Sequence, residues 1–261
     1  MKVIQREINI LKENLNLGSN VPIPNNILSN FVIEGSKFIR STISILYLKA
    51  QEKDLTDNVF KILSAGELIH SASLLHDDVL DNAETRRGKT VIAKIFSPKI
   101  SILAGDYLLS KAIEKLLKLE NTAILKNFKN CIQKMTESEI KQFFLRENLP
   151  TEDDYLEICK GKTAILFATI LESSANVLGL DSEKAKTFAE VYGTCFQIKN
   201  DLEKESAYVD DKNGIYTAKD VLGIEKTASL LDNYREEMLK IIKDFSENIY
   251  KKSLEDLINL L

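Results

Sequence analysis

Cysteine, proline and glycine are all scarce in this 261-residue chain, and each scarcity excludes something. The three cysteines, Cys131, Cys159 and Cys195, are far apart and form no CxxC pair, which argues against a disulfide scaffold or thiolate zinc site and fits a reducing cytosol. Only four prolines and ten glycines interrupt the chain. Pro22, Pro24, Pro98 and Pro150 all stand at breaks between periodic segments, leaving long stretches without helix breakers. Basic charge is short too. A net charge of −4 argues against a general nucleic-acid binder, though a local basic patch could still hold a small anion. No apolar run approaches the roughly 20 residues of a membrane span. The opening MKVIQREINI places charges in every turn and does not read as a secretory signal.

What the chain has is helical periodicity. Apolar residues recur at three- and four-residue spacing through 3–15, 25–33, 37–51, 55–82, 99–118, 122–146, 152–178 with a break near Gly161, 182–206, and 224–260 in one or two pieces. The short connections, without repeats or low-complexity tracts, predict a single all-α domain over 1–261, a helical bundle with its chemistry inside.

The segment LIHSASLLHDDVLDNAETRRG carries that chemistry. Asp77 and Asp81 share a helix face, and Asp78 lies about 100° around. Carboxylates one turn apart repel, and a hard dication between them turns the repulsion into binding; magnesium takes one or two carboxylates plus water and phosphate oxygens. The competing reading is a solvated acidic face. Against it, the cluster follows the apolar Leu74-Leu75, and Arg86, Arg87 and Gly88 come next. Paired guanidiniums suit a diphosphate, or else simply compensate the aspartates.

His70, two turns before Asp77 on one face, can donate to a phosphate or sit as a satisfied, half-buried histidine. His76 lies off that face. Glu67 and His70 form ExxH, but a di-iron site needs a second such unit, and Ser73 precedes His76 where a glutamate should stand. Lys37 and Arg40 share the start of a helix. Lys162, after Gly161, opens another helix, where anions are favoured. Glu139 and Gln142, one turn apart, read as a solvated face.

In this order the pieces resemble the trans-type polyprenyl diphosphate synthase family, medium- or long-chain type. The resemblance rests on LIHSASLLHDDVLDNAETRRGKT followed by ILAGDYLL, with GSKFIR, SEIKQ, KGKTAILF and FQIKNDLEK as weaker blocks. It implies an all-helical fold around a central cavity, usually in a homodimer, and magnesium-dependent condensation of an allylic diphosphate with isopentenyl diphosphate. Asp77 and Asp81, with Asp78, would hold magnesium. Lys37, Arg40, His70 and Arg87 match the isopentenyl diphosphate clamp. Arg86 and Lys162 match grips on the allylic diphosphate, with Gln197 beside it. Ala72 and Ser73 stand where bulky residues stop chain growth, so a medium or long product such as a quinone side chain is expected.

The second aspartate motif departs from the family: Asn200-Asp201-Leu202-Glu203-Lys204 keeps Asp201, expected as a metal ligand, but has Asn200 and Lys204 in place of two aspartates, with Glu205 as a shifted partner. Ser41 replaces the proline after Arg40, and Gly214-Ile215 loses a lysine that Lys212 would have to supply. A weakly active or non-catalytic subunit of a heteromeric synthase is the alternative. A terpene cyclase fits less well, because its metal motif breaks at Lys204 and Tyr208.

Overall fold

The computed structural model describes residues 2–17, 27–34, 36–146, 148–203 and 215–261. These fall into two compact units, residues 1–45 with 55–125, and residues 46–54 with 126–261.

In the first unit, α1 (Gln5–Leu15) and α2 (Ile27–Ile33) pack against a long α4 (Asp57–Leu80), and α6 (Pro98–Leu117) lies along α4. α1 buries Ile8, Leu11 and Leu15, one stripe at helical spacing. α4 is different, because every residue from Ile62 to Ile69 is buried, as expected of a central helix apolar all round. α6 faces it with Ser101, Ala104, Gly105, Leu108, Ala112 and Leu116, whose small members allow close approach; the Ser101 hydroxyl donates to the Leu75 carbonyl at 2.9 Å. α6 starts on a Ser97 cap, which accepts from the Ile100 N–H at 3.3 Å, followed by Pro98 at its first position. A four-residue helix, α5 (Ile92–Ile95), joins this group. The remaining helix, α3 (Ile39–Ala50), starts in this unit.

Between α4 and α5 lies a two-stranded antiparallel ribbon, β1 (Thr85–Arg86) and β2 (Lys89–Thr90), the one strand pair among the described residues. The helical periodicity gave no sign of it. Arg87 and Gly88 form its two-residue turn at φ 54° and 76°, the backbone of a type I′ hairpin.

The second unit is built on α10 (Ser182–Glu203), which packs against α9 (Ile165–Val177) and α12 (Ile224–Ile242). Aromatic rings fill it. Tyr47 meets Phe188 at 4.9 Å and Phe245 at 5.1 Å between ring centres, and Phe167 meets Tyr192 at 5.6 Å. The expected break near Gly161 is a π-helical turn, Lys160–Ala164, between α8 (Glu152–Cys159) and α9. α7 (Thr122–Phe144), α11 (Ala218–Leu222) and α13 (Ile249–Asn259) complete the element order. The all-α expectation holds, and observed boundaries differ from the periodic ones by no more than two residues where both lie among the described residues.

Candidate active site

In the last three turns of α4 Ser71, Ala72, Leu75 and Asp78 are buried, while His70, Ser73, Leu74, His76, Asp77, Val79 and Asp81 are half-buried and Leu80 is exposed. Spacings of three and four residues put His70, Ser73, Leu74, Asp77 and Asp81 on a single open stripe. Three carboxylates thus crowd the C-terminal end of a helix that has no basic residue in its last turn. The helix dipole already makes that end negative, so the sequence places its charges against the local field.

Arg86 answers one of them. Its Nε donates to Asp78 Oδ1 at 2.7 Å, with the Asp78 side chain fully buried. Burial pushes the Asp78 carboxyl up, the Arg86 hydrogen bond and charge hold it back, and Asp81 pushes it up further. The compensation reading of the arginine pair is therefore right for Arg86. Asp78 Oδ2 is buried and has no hydrogen-bond partner among the described residues. Asp78 looks inward, and Asp77 and Asp81 remain on the open stripe.

A second basic group lies further up α4. Lys37 is exposed and Arg40 half-buried at the start of α3. His70 lies deep among side chains while part of its surface still reaches solvent. Burial holds its imidazole well below the usual range, and the charges of Arg40, Arg87 and Arg86 lower it further. It is a neutral imidazole at pH 7, able to donate one N–H. The same arginines make the surroundings anion-seeking.

In the second unit, the π turn brings Lys162 and Thr163 to neighbouring partners. Lys162 Nζ lies 2.5 Å from Glu139 Oε2 and donates to Gln142 Oε1 at 2.8 Å. Glu139 and Gln142 are thus no idle solvated face: they hold a lysine twenty residues away in sequence, which spacing alone cannot reveal. Two glycines permit the arrangement. A Cβ at Gly161 would lie 1.9 Å from Ser138 Oγ, and one at Gly193 would lie 2.6 Å from the Ala164 Cα.

Asp201 is tied to side chains of the same unit. It is 7% exposed, Oδ2 accepts from the Tyr155 hydroxyl at 2.9 Å, and Oδ1 accepts from Gln197 Nε2 at 3.0 Å. Gln197 Oε1 in turn accepts from the Thr163 hydroxyl at 2.7 Å. Burial is the largest cause that pushes the Tyr155 phenol far up, so it stays a donor. These bonds fix the Asp201 carboxylate and, through it, Gln197. Pro22, Pro24, Lys204, Glu205, Tyr208, Lys212 and Gly214, named above, lie outside the described residues.

The donor set at Asp77 and Asp81 does fit magnesium: hard oxygens, one turn apart, on an open face. Among the described residues no three His, Cys, Asp or Glu side chains converge as a closed cage. A pair of carboxylates completed by water and phosphate is the arrangement such an ion accepts.

The polyprenyl synthetase family model matches residues 21–256. The all-trans-nonaprenyl-diphosphate synthase of Rhodobacter capsulatus is 30% identical over 72% of this chain and 59% of its own length. The octaprenyl diphosphate synthase of Escherichia coli is 31% identical over 71% of this chain and 58% of its own. The match to these curated relatives thus spans less than two thirds of their length. Among solved structures, the geranyltranstransferase of Thermotoga maritima superposes with a TM-score of 0.82 at 26% identity, covering 100% of this chain and 99% of that one. A decaprenyl diphosphate synthase from Rhodobacter capsulatus reaches a TM-score of 0.86 at 18% identity, covering 99% and 96%, which speaks for the fold alone. With the helical fold and the aspartate-bearing stripe of α4 in place, this chain belongs to the polyprenyl synthetase family.

Proposed function

We propose that the protein is a prenyltransferase that condenses an allylic diphosphate with isopentenyl diphosphate to extend an all-trans chain. The observation that carries this is the open stripe of α4, with Asp77 and Asp81 at one end, Arg86 anchored beside them, and neutral His70 among arginines at the other. In this reading Asp77 and Asp81 hold magnesium, which supplies charge neutralisation to a departing diphosphate when bound. Arg86, fixed by Asp78, and Lys162, fixed by Glu139 and Gln142, grip the allylic diphosphate in orientations set before the substrate arrives. Gln197 offers a polar group held by Thr163 and Asp201. Lys37, Arg40, His70 and Arg87 hold isopentenyl diphosphate, so that its double bond attacks the allylic carbon as the carbon–oxygen bond breaks. The tertiary cation left on the former isopentenyl unit loses an adjacent proton to the released diphosphate, and the electron pair of that carbon–hydrogen bond forms the new allylic double bond. Residues 1–261 make up one functional domain in this proposal, and the protein acts as a cytoplasmic homodimer. Among the described residues no helix is long and apolar enough to cross a membrane.

Purified protein with magnesium, farnesyl diphosphate and labelled isopentenyl diphosphate should yield extended, acid-labile labelled products. Hydrocarbon released from farnesyl diphosphate alone would instead make it a cyclase, and silence until a second subunit is added would make it a partner-dependent chain.

The names of the relatives support a medium or long product, and so does the stripe. Ser73 lies four residues from Asp77 on the same side and is half-buried, whereas Ala72 is fully buried. Phenylalanine at Ala72 would overpack the core by about 1–3 kcal/mol, so Ser73 is the cleaner position at which to block a growing chain. Ser73→Phe should shorten the products by one or more isoprene units, read by reversed-phase chromatography after dephosphorylation. Products of unchanged length would separate Ser73 from the path of the chain.

A further inference from the structure

Glu67 has no part in the mechanism above, yet it is a carboxylate only 3% exposed, inside α4 and one turn before His70. A charge so deeply placed is costly unless hydrogen bonds and cations surround it. Both are present. Glu67 Oε1 accepts from the Ser41 hydroxyl at 2.6 Å and from the Ser41 N–H at 3.2 Å. Burial is the largest cause and pushes the Glu67 carboxyl above its ordinary range, while the Ser41 hydrogen bonds and the charges of Arg40 and Arg87 hold it back in part.

The segment that Glu67 holds is not relaxed. Phe38, just before α3, has φ 50°, a region that bulky side chains rarely adopt and that persists only where surrounding structure enforces it. Its ring is buried, and the Thr42 N–H donates to its carbonyl at 2.7 Å. The turn carrying Lys37 and Arg40 is therefore fixed at two points, by the Phe38 ring on one side and by the Ser41–Glu67 tether on the other.

We propose that Glu67, acting through Ser41, is a positioning residue that holds the Lys37–Arg40 turn, and with it the Arg40 guanidinium, ready for the diphosphate of isopentenyl diphosphate. This rests on the reading of Arg40, His70 and Arg87 as the clamp for that substrate. Both bonds of the tether are particular to this sequence: a proline after Arg40, as in the family pattern, would have neither an N–H nor a hydroxyl to give.

The test is calorimetric titration of the full-length protein with isopentenyl diphosphate, alongside steady-state kinetics with each substrate varied. Glu67→Ala should raise the Kd and KM for isopentenyl diphosphate about tenfold, with the allylic KM and the saturated rate within about twofold of wild type. Glu67→Gln, which keeps an acceptor for Ser41, should recover part of the loss. Ser41→Ala removes the 2.6 Å bond without leaving a cavity of any size, and should move the same constant in the same direction even where Glu67→Ala does not fold. Equal losses for both substrates, or no loss for either, would overturn the proposal. Wild-type protein that does not bind isopentenyl diphosphate would sink the clamp reading and the proposal together; wild-type binding with unchanged variants would sink the proposal alone.

Discussion

Asp77→Ala and Asp81→Ala are each expected to lower the saturated rate by about a thousandfold, the scale of removing one group that stabilises developing charge. Asp201→Asn should cost no more than about tenfold, the scale of one hydrogen bond. The difference follows from where the oxygens point. Asp77 and Asp81 lie on the open stripe of α4, one turn apart at the negative end of the helix dipole. A dication relieves that repulsion and in turn neutralises diphosphate. Asp201 meets Tyr155 and Gln197 with its two oxygens, and its loss loosens Gln197 rather than a metal. Activity against magnesium concentration separates the two effects. The half-saturating concentration should rise in the Asp77 and Asp81 variants and stay put for Asp201→Asn. A common shift in all three would return Asp201 to the metal.

Gly193→Ala should destabilise the protein by about 2 kcal/mol, although alanine is the better helix former. The gain in propensity is about 1 kcal/mol. Against it, the new Cβ would meet the Ala164 Cα at 2.6 Å and the Phe167 ring at 3.0 Å. The first of these atoms is backbone and cannot rotate away, so overpacking of about 3 kcal/mol wins. At this size the expected fall in melting temperature is about 4–8 °C, measured by circular dichroism. Ala164 ends the π turn that carries Lys162 and Thr163, so the allylic KM should rise as well. A variant as stable as wild type would mean that α9 and α10 can separate without strain.

Most of the helices were legible because prolines and glycines are few and apolar spacing is regular. The break at Gly161 was legible as well, though not its form. The β1–β2 ribbon was missed because four residues carry no period. Its signal was the turn pair Arg87-Gly88, which was read for charge and not for backbone. Asp77 and Asp81 were recognisable because their geometry is local to one helix. The surroundings of Asp201 were illegible for the opposite reason: motif position names a residue type but not which neighbours reach its oxygens, and Tyr155 is far away in sequence. Glu139 and Gln142 were passed over on the same grounds. Glu67 was weighed only as half of a di-iron unit, because its partner Ser41 belongs to another helix.

The Arg87-Gly88 turn has a consequence for how the chain tolerates changes of length. Surface connections usually accept an added or deleted residue. Here two adjacent arginines have different destinations, Arg86 to Asp78 and Arg87 to the neighbourhood of Glu67 and His70, and a two-residue type I′ turn sets which goes where. One residue inserted before Arg86 would carry Arg86 into the turn and Arg87 beyond its present place, so that neither guanidinium keeps its address although the composition of the site is unchanged.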